Sequence, residues 1–136
     1  MKLRIVIVLF FIYHSATAQT SYGNDWINFS QTYYKIKVAE NAVYRINQSQ
    51  LLSLGGPLSN INPKNFQLFH NGKEVPIYVQ GENDNTFDTG DFIEFYGEKN
   101  DGKLDQALYL NASDQPHQYY SLYTDTAAYF LTWTNT

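Results

Sequence analysis

The densest chemical feature of this chain is a run of carboxylates: Glu82, Asp84, Asp88 and Asp91. Asn83 and Asn85 add amide oxygens, and Gly90 permits a sharp turn. Calcium takes roughly six to eight oxygens from groups of this kind. The offsets differ from an EF-hand loop, in which Gly and a bidentate Glu stand at set positions. The competing reading is a solvated loop whose Asp side chains make Asx turns, with Asp91 opening the next strand. Asp84, Asp88 and Asp91 are therefore the metal candidates, with calcium as the ion. Asn100, Asp101, Gly102 and Asp105 form a second acidic turn open to the same argument.

His70 and His117 could serve as bases, but a histidine dyad needs a nucleophile within hydrogen-bond reach. No G-x-S-x-G elbow is present to supply one. Both histidines are expected in plain surface roles. Glu94 and Glu98 could form a glycosidase pair, which needs two carboxylates facing each other across a cleft. Glu94 alternates with Ile93 and Phe95, which puts it on the wet side of a strand. The chain contains no cysteine. That excludes disulfides, a thiolate zinc site and a cysteine nucleophile within these residues. No residue is assigned a catalytic or cofactor-binding role.

Aromatics make up 17% of the chain and charged residues only 16%, the balance of a folded, β-rich domain. Trp26, Tyr33, Tyr44, Tyr119, Tyr120, Tyr123 and Trp133 admit two roles. They can build the core and an interface to a further domain. Exposed on one sheet face, they can instead stack against sugar rings.

The first 18 residues read as an export leader. Lys2 and Arg4 give it a basic start, Ile5 to Tyr13 an apolar run, and Ala16-Thr17-Ala18 a small-x-small cleavage site. The run is shorter than the ~20 apolar residues a membrane span needs. No later stretch qualifies as one, and no lipidation cysteine follows. The expected location is the periplasm, the outer-membrane surface or the exterior. Removing Lys2 and Arg4 from nine basic residues leaves seven against thirteen acidic ones, a formal charge of −6. Such a domain lacks the basic footprint of a nucleic-acid binder.

Residues 19–136 are expected to form one domain. Thr32–Ala39 alternates strictly, with Tyr34, Ile36 and Val38 on one face, and predicts a half-buried strand. Val43–Ile46 predicts the return strand of a hairpin turning at Glu40-Asn41. Trp26 and Phe29 are expected to anchor the polar lead-in before this hairpin. Ser49 predicts the cap of a short helix with Leu51, Leu52 and Leu54 on its apolar side, ended by Gly55. Asn71-Gly72 between Asn65–His70 and Lys73–Val79 predicts a type I′ hairpin. Pro76 confines its strand to an edge or a bulge. Phe92–Gly97, Ala107–Leu110, Tyr119–Tyr123 and Ala128–Thr134 complete six to eight expected strands. The fold class is mainly β: an antiparallel sandwich or sandwich-like barrel with one short helix.

Four segments in series carry a resemblance: NDWINFSQTYYKIKVAENAVYRI, NFQLFHNGKEVPIYV, FDTGDFIEFYGEKNDGKLD and YYSLYTDTAAYFLTW. Together, over about Asp25 to Trp133, they resemble the N-terminal region of gingipain-like cysteine peptidases. The likeness is greatest to PorU-type sortases of the type IX secretion system in Bacteroidetes. The resemblance implies a β-rich region ahead of a caspase-like α/β domain that carries the catalytic Cys and His. In that family the sortase cleaves the C-terminal sorting signal from exported cargo at the outer membrane and links the cargo to lipopolysaccharide. No catalytic residue of the family has a matching position here. The chain is therefore expected to be a fragment of a longer polypeptide and inactive by itself. Its expected partners are the downstream catalytic domain and outer-membrane secretion components, and the strand Tyr129–Thr134 is expected to contribute to that interface. Asp125-Thr126-Ala127 also matches the short D-S/T-A acceptor for O-glycosylation in that phylum. The alternative is a carbohydrate-binding or adhesin-type module of an unrelated secreted protein.

Overall fold

The computed structural model describes residues 23–55 and 61–134. The leader, Gly56-Pro57 and the last two residues lie outside the described residues. Among the described residues, seven strands form two antiparallel sheets, the sandwich-like class expected. They are β1 (Tyr34–Val38), β2 (Ala42–Asn47), β3 (Phe66–His70), β4 (Lys73–Val75), β5 (Tyr78–Gln80), β6 (Phe92–Gly97) and β7 (Ala127–Trp133). One sheet has the order β1-β7-β3-β4 and the other β2-β6-β5.

Alternation decides which side of each strand meets the other sheet. Leu68 of β3 and Leu131 of β7 are fully buried facing Ile93 and Phe95 of β6. Tyr129 and Phe95 bridge the sheets with ring centroids 5.4 Å apart. Each such side chain contributes about 1.5–3 kcal/mol through burial. Alternation puts Tyr129, Leu131 and Trp133 on one face of β7, and this is the face that turns inward. Trp133 is only 7% exposed and stacks on Tyr34 at 5.2 Å. This corrects the expectation that β7 offers an interface: β7 is an inner strand of its sheet, and the chain itself covers that face.

The Asn-Gly hairpin forms as expected. Asn71 and Gly72 have φ of 49° and 76°, and His70 pairs with Lys73. Pro76 then ends β4 and divides the expected strand in two. The halves β4 and β5 become edge strands of different sheets, a geometry that tolerates the missing N–H.

The hairpin expected of β1 and β2 does not form. β1 pairs with β7 and β2 with β6. Glu40-Asn41 is instead a corner where the chain crosses between sheets. The Tyr44 hydroxyl holds it, accepting from the Glu40 N–H at 3.3 Å and donating to the Glu40 carbonyl at 3.1 Å. Alternation reports which face is buried but not which strand lies alongside.

The helix α1 (Gln48–Ser53) is capped by Asn47 and not by Ser49. The Asn47 N–H donates to Gln50 Oε1 at 2.8 Å. Of the three leucines expected on its apolar side only Leu51 is buried; Leu52 and the C-cap Leu54 face solvent because a short helix presents one narrow stripe to the sheet. Trp26 anchors the lead-in as expected, lying over the outer face of the larger sheet against Phe69 and Phe130 at 5.1 and 5.5 Å. Phe29 does not anchor anything; it is 88% exposed.

The expected strands at Ala107–Leu110 and Tyr119–Tyr123 are also absent. Lys103–Leu108 is a 3₁₀ turn, opened by Gly102 in the left-handed region at φ 78°. The stretch around Tyr119–Tyr123 is irregular. The buried Ser121 hydroxyl accepts from the Tyr123 and Thr124 N–H groups, occupying donors that a ladder would need. Among the described residues, no helix is long and apolar enough to cross a membrane.

Candidate functional site

One end of the sandwich collects the corner at Asn41, the Asn71 turn, the exit of β6 at Glu98 and the entry of β7 at Thr126 to Ala128. This follows from the antiparallel pairing: β6 and β3 finish where β2, β4 and β7 begin. Between these pieces and the turn Asn100–Leu104 lies an open cleft of about 570 Å³. That volume falls within the range of small-molecule sites.

The cleft floor is well tied down. His70 Nδ1 donates to the Ala128 carbonyl at 3.0 Å, because a carbonyl can only accept. Its Nε2 lies 3.0 Å from Asn71 Nδ2, an amide nitrogen that can only donate. The imidazole stacks on Tyr129 at 4.1 Å with 7° between planes. The Tyr129 hydroxyl in turn accepts the Glu98 N–H at 2.9 Å. Burial pushes the Tyr129 phenol up from its ordinary value. His70 is thus a structural histidine and not the plain surface residue expected.

The walls carry balanced charge. Asp101 Oδ2 pairs with Lys103 Nζ at 2.6 Å, and its Oδ1 accepts the Lys103 N–H at 3.0 Å. These hydrogen bonds hold the Asp101 carboxyl below its ordinary value and the Lys103 ammonium above its own. Asn41 Oδ1 accepts the Lys99 N–H at 2.8 Å. Asn100 is fixed at both ends, donating to the Thr124 carbonyl at 3.0 Å and accepting the Gly102 N–H at 3.1 Å. Tyr119 stands at the rim, 84% exposed, and Leu104 forms an apolar shoulder.

The first acidic loop sits at the other end, before β6. Asp84 Oδ1 accepts the Thr86 N–H at 2.9 Å, and Asp91 Oδ2 accepts the Asp88 N–H at 2.9 Å. The first is an Asx turn and the second a bond back across the loop, and both carboxylates are engaged within the loop itself. Lys64 Nζ donates to Asn85 Oδ1 at 3.0 Å. Among the described residues, no group of three or more His, Asp or Glu side chains converges as a metal site would. The sequence reading missed Phe87 in this loop. It is 2% exposed and meets Phe66 edge-on at 4.9 Å, anchoring the loop to the core. A lone aromatic amid polar residues is the signal that could have found it.

Glu94 and Glu98 do not share a cleft. Glu94 lies on the outer face of the smaller sheet, 2.8 Å from Arg45, whose guanidinium sits 3.9 Å over the Phe92 ring. Glu98 lines the cleft. Asp105, named with the second acidic turn, accepts from Ser121 Oγ at 2.5 Å. His117 stacks on Tyr120 in an exposed loop and shares a 2.9 Å hydrogen bond with its hydroxyl. Thr126 of the acceptor tripeptide is half-buried in the cleft wall.

The seven aromatics singled out by composition divide three ways. Trp133 and the half-buried Tyr44 belong to the core. Trp26 and Tyr33 pack over the outer face of the larger sheet. Tyr119, Tyr120 and Tyr123 are exposed in the long segment between β6 and β7. In that segment Leu108, Leu110, Leu122 and Tyr123 are each more than half exposed. Asn41, Asn71 and Lys99 escaped the sequence reading as site residues, since only the strand order brings their turns together.

No protein-family model, curated protein or solved structure matches this chain.

Proposed function

We propose that this chain is the non-catalytic N-terminal β domain of a secreted gingipain-like cysteine peptidase, most like the type IX secretion sortase. Its role is physical: to dock the catalytic domain or an outer-membrane partner. The observation that carries this reading is the exposed apolar surface of the β6–β7 segment, with Leu110 at 98% and Tyr123 at 69% exposure. Isolated exposed leucines are ordinary, but several on one segment suit an interface. The segment is held in shape by its own polar contacts, so the surface is preformed and loses little freedom on docking. The resemblance carried by the four sequence segments adds support.

The test uses the full-length protein. Leu110→Asp with Tyr123→Asp should impair processing of cargo while leaving the melting temperature of the domain unchanged. Unimpaired processing would remove the docking role. A coding region that continues into a glycoside hydrolase or a sorting tail, in place of an α/β segment with His and Cys at strand ends, would remove the peptidase assignment.

A further inference from the structure

We infer that the cleft at the Asn41–Asn71–Glu98 end binds a neutral saccharide ring. The inference rests on the cleft alone and stands whether or not Leu110 and Tyr123 dock a further domain.

Charge comes first. Asp101 and Lys103 neutralise each other, and Glu98 and Lys99 balance. These four lining charges sum to zero, so the lining offers no excess of one sign to draw an anion or a cation. Hydrogen bonding comes second. Asn41 spends its carbonyl oxygen on Lys99, which leaves its Nδ2 as a donor. Asn71 spends its Nδ2 on His70, which leaves its Oδ1 as an acceptor. The Glu98 carboxylate and Lys99 ammonium add one strong acceptor and one strong donor. A sugar hydroxyl gives and takes a hydrogen bond at once, so alternating donors and acceptors suit a polyol. Neither amide can swing freely, since each is tied at one end.

Shape comes third. Tyr119 at the rim and Leu104 beside it give an apolar wall for the C–H face of a pyranose. A flat aromatic beside fixed polar groups distinguishes this wall from the exposed leucines Leu108, Leu110 and Leu122.

Saturation-transfer difference NMR on the full chain tests the site. The probes are methyl β-glucoside, methyl α-mannoside, N-acetylglucosamine and chitobiose, with diglycine as a zwitterionic control. At least one saccharide should show transfer to its ring protons. Tyr119→Ala should weaken binding by roughly tenfold, the scale of a lost aromatic contact. Asn41→Ala should weaken it similarly, while Leu110→Ala should leave it unchanged. Tyr119 is exposed, so its removal does not endanger the fold. Transfer to none of the four saccharides, transfer to diglycine alone, or a saccharide affinity left unchanged by Tyr119→Ala would each overturn the inference.

Discussion

The strands and the β6–β7 segment are held by different forces. The strands are joined by ladders and by side chains fully removed from water, such as Leu68, Ile93 and Leu131. Residues 98–126 contain no strand and no α-helix. Their shape comes from short polar ties: Ser121 to Asp105, Asn100 to Thr124, and Gln115 Nε2 to the Gly102 carbonyl at 2.8 Å. The strands bury their largest apolar side chains between the sheets, leaving Val43, Tyr78 and Tyr96 on the outer face of the smaller sheet. The β6–β7 segment leaves Leu108, Leu110, Leu122 and Tyr123 facing outward. Both proposed surfaces fall in or beside the polar-tied part.

The contrast can be broken experimentally. Leu131→Ala removes a fully buried side chain between the sheets and should cost about 2–5 kcal/mol by denaturant unfolding. A smaller loss would mean that the sandwich is not the seat of stability. Gly102→Ala should cost about 1–3 kcal/mol, because it places a Cβ at positive φ. That Cβ would also stand 2.6 Å from the Tyr120 carbonyl oxygen. Hydrogen exchange should show the loss confined to 98–126, with the strands still protected. Equal loss in both regions would show that they fold as one unit.

Tyr129→Phe tests the joint between the regions and should cost about 1 kcal/mol at neutral pH. The phenol is raised above its ordinary 10.0 by burial. Its contribution is therefore complete below the unfolded value and is lost as pH rises through the folded one. Above about pH 10 the parent chain should lose stability faster than the phenylalanine variant. Asp101→Asn should have the smallest effect. Asp101 is held low by Lys103, so its contribution is present at neutral pH and fades as pH falls through its depressed value. The pair is solvent-exposed, and a thermal melt at neutral pH should barely move.

The two regions also differ in how far they could be read from the chain. β1, β6 and β7 follow directly from alternation, and the Asn71-Gly72 turn from its need for positive φ at both positions. Pro76 marks an edge by its missing N–H, though not that the chain changes sheets there. The Tyr119–Tyr123 strand failed because Ser121 diverts backbone N–H groups to its hydroxyl, a competition that leaves no periodic trace. Asp84, Asp88 and Asp91 were legible as a polar turn, but the direction of each carboxylate was not.

Residue order by itself determined the inward faces of the strands, the hairpin turn and the β-rich class. These depend on local sterics and on a two-residue period. Tertiary structure alone decided that β1 lies beside β7, that Trp133 is core, and that Asn41, Asn71 and Glu98 share a cleft. Such pairings join residues up to about a hundred positions apart, as Tyr34 with Leu131, and are chosen by how whole faces fit. No neighbouring residue records that choice.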